Sequence, residues 1–205
     1  VENKEINKLP KIPEIQSSLG NPRITIEDSK AGWADSVKQL MGSLYDGQNV
    51  MFDYSGIRLE GARLKTMGGR ASGPQPLIKL HDFIRETMHN AQGRKLTALE
   101  CHDIANQIAE IVVAGGVRRS SQISLSGLDD EEMRHAKDWP FPIRRAMANN
   151  SAIYRDKPSA AEFLKEWASL ALSGTGERGI FNLNAAQSKA PSRRYAPLIQ
   201  GTNPC

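Results

Sequence analysis

The spacing of apolar residues along the chain predicts helices that alternate with short strands. Trp33, Val37, Leu40 and Leu44 recur at intervals of three and four residues, which places them on one face of a helix that Gly47 can end. The same spacing predicts further helices, whose apolar positions fall in 77–88, 104–112 and 163–170. Short apolar runs predict strands at 23–27, 49–54, 121–125, 151–154 and 180–183. This alternation favours an α/β fold with parallel strand pairing.

Boundary residues support two of the predicted helices. Thr97 with Glu100, and Ser159 with Glu162, match the capping box, in which each side chain bonds the backbone amide of the other residue. Each pair therefore predicts the start of a helix. Residues 1–28 are rich in Pro, Asn and Lys and are predicted to form a loose lead-in segment.

Composition and charge narrow the classes of protein. The 205 residues carry a net charge of +4, which suits a phosphate-bearing ligand, and no 18-residue apolar run predicts a membrane span. Only 6% of the residues are aromatic and the arginine doublets are scattered, which disfavours direct nucleic-acid binding. Two cysteines do not make a disulfide framework, so we expect a cytoplasmic protein with free thiols.

Two short motifs are better explained by packing than by chemistry. Gly174, Gly176 and Gly179 match G-x-G-x-x-G, but a helix precedes them and a strand follows, the reverse of the dinucleotide-binding order. We therefore predict a helix end and a turn, which glycine forms by accepting a positive φ. Cys101 and His102 have no further histidines at metal-ligand spacing, so we predict a packed cysteine and no metal site.

Two glycine-containing loops are candidates for ligand binding. One is KTMGGRASGP at 65–74. The other is VVAGGVRRSSQISL at 112–125, in which a diglycine leaves a helix and two arginines precede a strand. Glycine lets backbone amides approach a ligand closely, and arginine supplies forked donors for phosphate or base edges. Together with the α/β pattern and the lone thiol of Cys205 in the run GTNPC, these loops indicate a functional site.

The longer motifs resemble the catalytic subunit of ribonucleotide reductases, most closely the adenosylcobalamin-dependent (class II) enzymes. In family order they are MFDYSGIRLEGARLKTMGGRASGPQPL, KLTALECHDIANQIAEIVVAGGVRRSSQISL, ANNSAIY, SGTGERGIFNLNAAQ and GTNPC. The motif sequences MGGRASGP and VVAGGVRRS are most similar to those of the monomeric branch that reduces triphosphates. The resemblance implies part of a ten-stranded α/β barrel, incomplete in this chain. One domain at 29–205 would contain both specificity loops and the start of the finger loop.

The resemblance also implies roles for individual residues. Cys205 would carry the thiyl radical that takes the hydrogen from C3′ of the substrate ribose, and Asn203 would bind the ribose hydroxyls. Pro204 would lie with them in the substrate site, where its ring fixes its own φ and disfavours helix at the preceding residue. Arg118 and Gln122 of the second specificity loop would contact the substrate.

The two specificity loops would relay the identity of an effector nucleotide to the choice of substrate base. The first loop corresponds to residues 65–74 and the second to residues 114–122. The residues implied in effector binding and relay are Lys65, Gly68, Gly69, Arg70, Ser72, Ala114, Gly115, Gly116, Val117, Arg118 and Arg119.

The partners implied by the resemblance are those of a complete reductase. They are a ribonucleotide substrate, a deoxynucleotide effector, and adenosylcobalamin at a site mostly outside this chain. The remainder of the reductase polypeptide, or a complementing chain, is also implied, as is a thioredoxin-like or dithiol reductant. Neither a membrane nor a direct nucleic-acid partner is expected.

Parts of the family's catalytic set have no counterpart in these 205 residues. One is the glutamate that follows the radical cysteine by two residues. The other is the reducing cysteine pair, because Cys101 aligns with neither of its members. We therefore expect a fragment, a split-gene product or an intein-bounded segment, inactive by itself. Two alternatives stay open: a nucleotide-binding regulatory fragment without activity of its own, and a diphosphate in place of a triphosphate substrate.

Overall fold

The first half of the chain contains two short parallel strands and three long helices. The structure is a computed structural model, and it describes residues 3–17, 23–64, 69–114, 121–191, 193 and 199–204. The elements of this half are α1 (Asn3–Ile6), β1 (Arg23–Thr25), α2 (Lys30–Tyr45), β2 (Met51–Asp53), α3 (Gln75–Asn90) and α4 (Ala98–Ala114). Strands β1 and β2 pair in parallel, with Ile24 opposite Phe52.

The second half is built on a three-stranded sheet. Its elements are β3 (Gln122–Ser126), α5 (Glu131–Arg134), the 3₁₀ helix η1 (Ile143–Met147), β4 (Ala148–Tyr154), α6 (Ala160–Ser173), β5 (Gly179–Asn182) and α7 (Leu183–Ser188). The strand order is β3–β4–β5, with Leu125 opposite Ser151 and Ser151 opposite Gly179. All the strand pairs of the described ranges are parallel, which confirms the predicted α/β class. Within those ranges, no helix is both long enough and apolar enough to cross a membrane.

The main apolar core lies between α2, α3 and the β1–β2 pair. Residues three or four positions apart share one face of a helix, and the apolar positions predicted for α2 and α3 point into this core. Ile108 and Val112 of α4 and Phe163 and Trp167 of α6, which the same spacing predicts, are instead exposed. The fully buried helical side chains of the core are Leu40, Leu44, Leu77, Leu80, Ile84 and Met88. Helix α4 adds Ile104, and β2 adds Phe52.

The described part of the lead-in segment is tied to this core, although most of its described residues lie outside helices and strands. The side chains of Ile12 and Ile15 are buried. The amide of Ile12 donates to the carbonyl of Arg94 at 2.8 Å, and its own carbonyl accepts from the amide of Gly93 at 2.8 Å. The looseness predicted for 1–28 therefore does not apply to residues 3–17, because their apolar side chains and backbone both have partners.

Both predicted capping boxes are present. Thr97 Oγ1 accepts from the amide of Glu100 at 3.2 Å, and Glu100 Oε2 accepts from the amide of Thr97 at 2.8 Å. Ser159 and Glu162 make the same reciprocal contacts at the start of α6. This helix ends at Gly174, which has a left-handed φ of 67°, so the predicted helix end in the glycine-rich run is confirmed.

A buried histidine connects α2, α3 and the end of β2. His81 of α3 is fully buried, with Nε2 at 3.1 Å from Ser36 Oγ and Nδ1 at 2.7 Å from the Tyr54 hydroxyl. Burial, together with the positive charge of Arg85, lowers the pKa of His81 to about 4. The ring is therefore neutral at pH 7 and can donate from one nitrogen while it accepts at the other.

Acid is expected to weaken the fold through His81. Its pKa is about 4 in the folded protein and 6.5 in an unperturbed histidine. The contribution of neutral His81 to the free energy of unfolding is therefore fully present above pH 6.5. That contribution, on the order of 3 kcal/mol, is lost as the pH falls from 6.5 to 4. His81→Gln removes the titration, so its thermal midpoint should fall less steeply over this window than the wild-type midpoint. The control is His89→Gln, at an exposed position of the same helix; equal slopes in all three proteins would contradict the prediction.

Polar contacts join the two halves of the chain. Arg145 of η1 donates to both carboxylate oxygens of Asp103 on α4, each at 2.7 Å. Burial raises the pKa of Asp103, but hydrogen bonds from Arg145 and His102 and the charge of Arg144 outweigh it and hold the pKa at about 2. The guanidinium of Arg144 lies over the Phe83 ring, 4.4 Å from its centroid. This arginine doublet therefore serves packing between the halves.

Candidate functional site

The two faces of the β3–β4–β5 sheet differ in burial. Side chains alternate along a strand, so neighbouring residues project from opposite faces. One face packs against α4 and contains the buried Ser124 and Asn150, with His102 Nε2 at 3.1 Å from Asn150 Oδ1. The other face carries Leu125 of β3 and Asn149 of β4, which are less buried.

The segment 199–204 lies on this less buried face. Asn149 Nδ2 donates to the carbonyl of Pro204 at 2.6 Å. Gly201 lies next to β3, because a Cβ added at this position would be in van der Waals contact with Leu125 Cδ1, at 3.4 Å. The segment is therefore in contact with both β3 and β4.

Only part of the predicted thiol site falls within the described residues. Gln187 of α7 donates to the carbonyl of Ile199 at 3.1 Å, which fixes the start of the segment. Asn203 is exposed beside Pro204 at its other end. Cys205 lies outside the described residues, so its predicted role stays a prediction.

Gln122 projects from the opposite face of the sheet. Its Nε2 donates to Asn106 Oδ1 of α4 at 2.6 Å, and Asn106 Nδ2 lies 3.0 Å from His102 Nδ1. The structure therefore does not bring the Gln122 side chain together with Asn203 and Pro204. In this arrangement the amide serves the contact between α4 and β3.

The described part of the first predicted specificity loop bonds mainly to residues 61–64, just before it in the chain. Gly69 has a φ of 84°, which glycine adopts without strain. Arg70 Nη1 donates to the carbonyl of Gly61 at 2.9 Å, and the Ser72 hydroxyl donates to the carbonyl of Gly73 at 3.4 Å. Arg70 is exposed and Ser72 is half-buried, so both remain accessible to a ligand.

Most of the second predicted specificity loop lies outside the described residues. The described backbone stops at Ala114, the last residue of α4, and resumes at residue 121, just before β3. The predicted substrate and effector residues outside the described part of the chain are Lys65, Gly68, Gly115, Gly116, Val117, Arg118 and Arg119. Their roles stay predictions.

A buried charge network lies at the carboxyl end of β3. Glu166 of α6 accepts from Arg178 Nη2 at 2.9 Å and also pairs with Arg134, and all three side chains are at most 3% exposed. Arg178 donates to Ser126 Oγ, on the last residue of β3, at 2.6 Å. Burial raises the pKa of Glu166, but the hydrogen bonds and charges of the two arginines outweigh it, so the pKa is lowered. No sequence pattern predicts this network, because its members are far apart in the chain.

A partly buried ion pair lies beside Asn149. Lys137 Nζ and Glu177 Oε1 are 2.6 Å apart, with side chains 10% and 16% exposed. Lys137 also donates to the carbonyl of Ala148 at 2.7 Å, and Glu177 Oε2 accepts from the amide of Asn150 at 2.7 Å. The sequence gives little indication of this pair, because Glu177 is a single acidic residue within a glycine-rich turn.

The described residues also contain a cavity of about 590 Å³ at the carboxyl ends of β3 and β4. Its charged lining is balanced, with the basic residues Arg134, Arg155, Lys157 and Lys165 and the acidic residues Asp129, Asp156, Glu162 and Glu166. Among the described residues, no group of three or more His, Cys, Asp or Glu side chains could hold a metal ion. Cys101 packs against the apolar core, and burial raises the pKa of its thiol, which agrees with the predicted packed cysteine.

The fold matches part of a larger enzyme. A crystal structure of a B12-dependent (class II) ribonucleotide reductase superposes on this chain with a TM-score of 0.75 at 24% sequence identity. The match covers 91% of this chain and 30% of that chain. The α/β fold predicted from the sequence is thus confirmed as part of that architecture, and the two open sheets agree with an incomplete barrel.

Sequence comparisons define the family more closely. The family model described as "B12-dependent ribonucleotide reductase, insertion domain" matches residues 21–88. An adenosylcobalamin-dependent ribonucleoside-triphosphate reductase of Levilactobacillus brevis is 34% identical over an alignment of 210 positions. This alignment covers 92% of this chain and 27% of the relative. A reductase of the same name from Euglena gracilis is 36% identical over 136 residues, which cover 64% of this chain and 19% of the relative.

These matches confirm the resemblance. The chain corresponds to a segment of the B12-dependent, class II ribonucleotide reductases. It spans about a quarter of the length of the curated relatives that it matches over most of its own length.

Proposed function

We propose that this chain is the segment of an adenosylcobalamin-dependent ribonucleotide reductase that carries the radical cysteine and both specificity loops. The complete enzyme converts ribonucleotides, in particular triphosphates, to 2′-deoxyribonucleotides. The observation that carries the proposal is the attachment of residues 199–204 to the β3–β4 sheet through Asn149 and Leu125. A thiol at the end of a segment fixed on a sheet can be held at a constant distance from a substrate, which hydrogen abstraction requires. The names of the relatives support a triphosphate substrate.

The residues of the segment fit distinct steps of this chemistry. Cys205, as a thiyl radical, takes the hydrogen atom from C3′, so that an S–H bond forms and a carbon radical remains on the ribose. Asn203 has both a donor and an acceptor, which suits a pair of ribose hydroxyls. Pro204 restricts its own backbone, and Asn149 holds its carbonyl. The barrel of the complete enzyme shields the radical from water and stray reductant.

The remaining components belong to the complete enzyme. Adenosylcobalamin supplies the radical. A corrin ring has broad apolar faces, whereas the described cavity is lined largely by charged side chains and does not suit it. We assign the cobalamin site mostly to parts of the enzyme outside this chain. A dithiol or thioredoxin-like protein supplies two electrons as the 2′-hydroxyl leaves as water, and a deoxynucleotide acts as effector. The rest of the polypeptide, or a complementing chain, completes the active site, and the enzyme works in the cytoplasm.

The same proposal includes the organisation of the chain. Residues 29–205 form one partial barrel domain, and residues 1–28 lead into it. The ion pair between Asp103 and Arg145 and the contact between Arg144 and Phe83 support one domain, because they join the first half of the chain to the second.

The activity is tested on the complete reductase that contains this segment. CTP is incubated with the protein, adenosylcobalamin and dithiothreitol, and the formation of dCTP is measured. The expected result is dCTP formation that depends on adenosylcobalamin. A protein that binds CTP but forms no dCTP would favour the regulatory alternative, and formation at the same rate without adenosylcobalamin would contradict the assigned cofactor.

The second specificity loop gives a separate prediction. Arg118 and Arg119 follow a diglycine in the sequence, and glycine accepts backbone conformations that other residues avoid, so we expect these arginines to respond to both effector and substrate. In the complete reductase, Arg118→Ala or Arg119→Ala should change which effector favours which substrate base more than it changes the maximal rate. The measurement is a table of reduction rates for four triphosphates with each deoxynucleotide effector. The control is Arg23→Ala, at an exposed position of β1; a table unchanged in both loop variants would refute the assignment.

A further inference from the structure

Asn149 contacts the residue directly before Cys205. Its Nδ2 donates to the carbonyl of Pro204 at 2.6 Å, and it projects from β4 on the face that carries residues 199–204. We infer that Asn149 is a positioning residue for the radical reaction, because it holds the carbonyl of the residue that precedes Cys205 in the chain. The inference rests on the proposed function, since the position of this backbone matters to the reaction only if Cys205 carries the radical.

The backbone on both sides of Asn149 is held by the partly buried ion pair of Lys137 and Glu177. Strand β5 begins at Gly179, which pairs with Ser151, so the same parallel register two residues earlier would place Glu177 opposite Asn149. In a parallel ladder the backbone of residue 177 would then donate to the carbonyl of residue 148 and accept from the amide of residue 150. Side chains take over these two bonds: Lys137 Nζ donates to the first group at 2.7 Å, and the Glu177 carboxylate accepts from the second at 2.7 Å.

This arrangement gives a partner to the backbone group on each side of Asn149. The ammonium and carboxylate groups are also bonded to each other at 2.6 Å and are largely shielded from water, so they interact strongly. The side chain of Asn149 does not take part in these backbone contacts and bonds to the segment 199–204. The result is a continuous set of contacts from the Lys137–Glu177 pair, through the backbone of β4, to the carbonyl of Pro204.

The test replaces Asn149 in the complete reductase. Asn149→Asp keeps the size of the side chain but puts an acceptor where a donor is needed, so it repels the carbonyl of Pro204. We expect kcat for CTP reduction to fall roughly 100-fold, as for a misplacement of about 1 Å, while KM for CTP and the thermal midpoint change little. Asn149→Gln retains the amide donor on a longer side chain and should recover part of the rate. The matched control is Asn184→Asp, the same change at an exposed position of α7.

The outcomes separate this inference from the proposed function. A fall in kcat for Asn149→Asp alone, with partial recovery in Asn149→Gln, supports the positioning role. Equal kcat values for Asn149→Asp and Asn184→Asp in an active enzyme would overturn the inference and leave the proposed function standing. A fall in kcat together with a lower thermal midpoint assigns a merely structural role and also overturns it. A wild-type protein that reduces no CTP would overturn the proposed function, and this inference with it.

Discussion

Replacing Cys205 by serine in the complete reductase is expected to abolish ribonucleotide reduction while nucleotide binding stays nearly intact. Serine keeps the shape of the side chain, but its O–H bond is too strong to exchange hydrogen with a C–H bond. The loss should therefore reach the detection limit and not merely the roughly 100-fold expected from misplacement of the thiol. The measurement is dCTP formation from CTP with adenosylcobalamin and dithiothreitol, together with CTP binding to the same variant.

Two companion variants separate the radical from its surroundings. Asn203→Ala removes a group that orients the ribose but leaves the thiol in place, so its rate should fall less severely. Cys101→Ser makes the same atomic change at a cysteine that packs against the apolar core, and it should retain activity. Reduction near the wild-type rate in Cys205→Ser would mean that the radical lies on another residue.

The largest effect on stability is expected from Glu166→Gln. Glutamine has nearly the same volume, but it leaves the guanidinium groups of Arg134 and Arg178 buried without their shared carboxylate. Breaking a buried ion pair by removing one partner costs about 3–5 kcal/mol. The thermal midpoint of the complete reductase should fall, and hydrogen exchange should become faster in β3, α5 and α6, which this network connects.

The matched control is Glu132→Gln, which makes the same change at an exposed position of α5. Surface substitutions of this kind usually change the free energy of unfolding by less than about 0.5 kcal/mol. Equal midpoints and exchange rates for Glu166→Gln and Glu132→Gln would show that the buried network does not hold the sheet to α6.

Much of the fold could be predicted from the sequence because local rules decide it. The apolar spacing of α2 and α3 reflects a single core-facing side, and those positions are buried, or partly buried against the core in the case of Trp33 and Val37. The capping boxes at Thr97 and Ser159 bond only residues three positions apart, so they are visible in the sequence as well as in the structure. The short elements α5, η1 and α7 were not predicted, because four to six residues contain too few turns to show a period.

The candidate site could be predicted only in part, because its contacts depend on tertiary structure. The motif resemblance marks residues 201–205, but the contact between Asn149 and Pro204 joins positions 55 apart in the chain. The face from which Gln122 projects follows from the strand period once the burial of α4 against the sheet is known. The role of Glu177 depends on the β4–β5 register, which the glycine-rich turn does not reveal in the sequence.

The central claim is that Cys205 is the thiol that exchanges hydrogen during radical formation. It is tested most directly with adenosylcobalamin that carries tritium at its 5′ carbon, incubated with the complete reductase and dithiothreitol. Release of tritium to water requires a protein thiol that passes hydrogen between the cofactor and the solvent. Wild-type protein and Cys101→Ser should release the label, and Cys205→Ser should release none. Release from Cys205→Ser at the wild-type rate would contradict the claim.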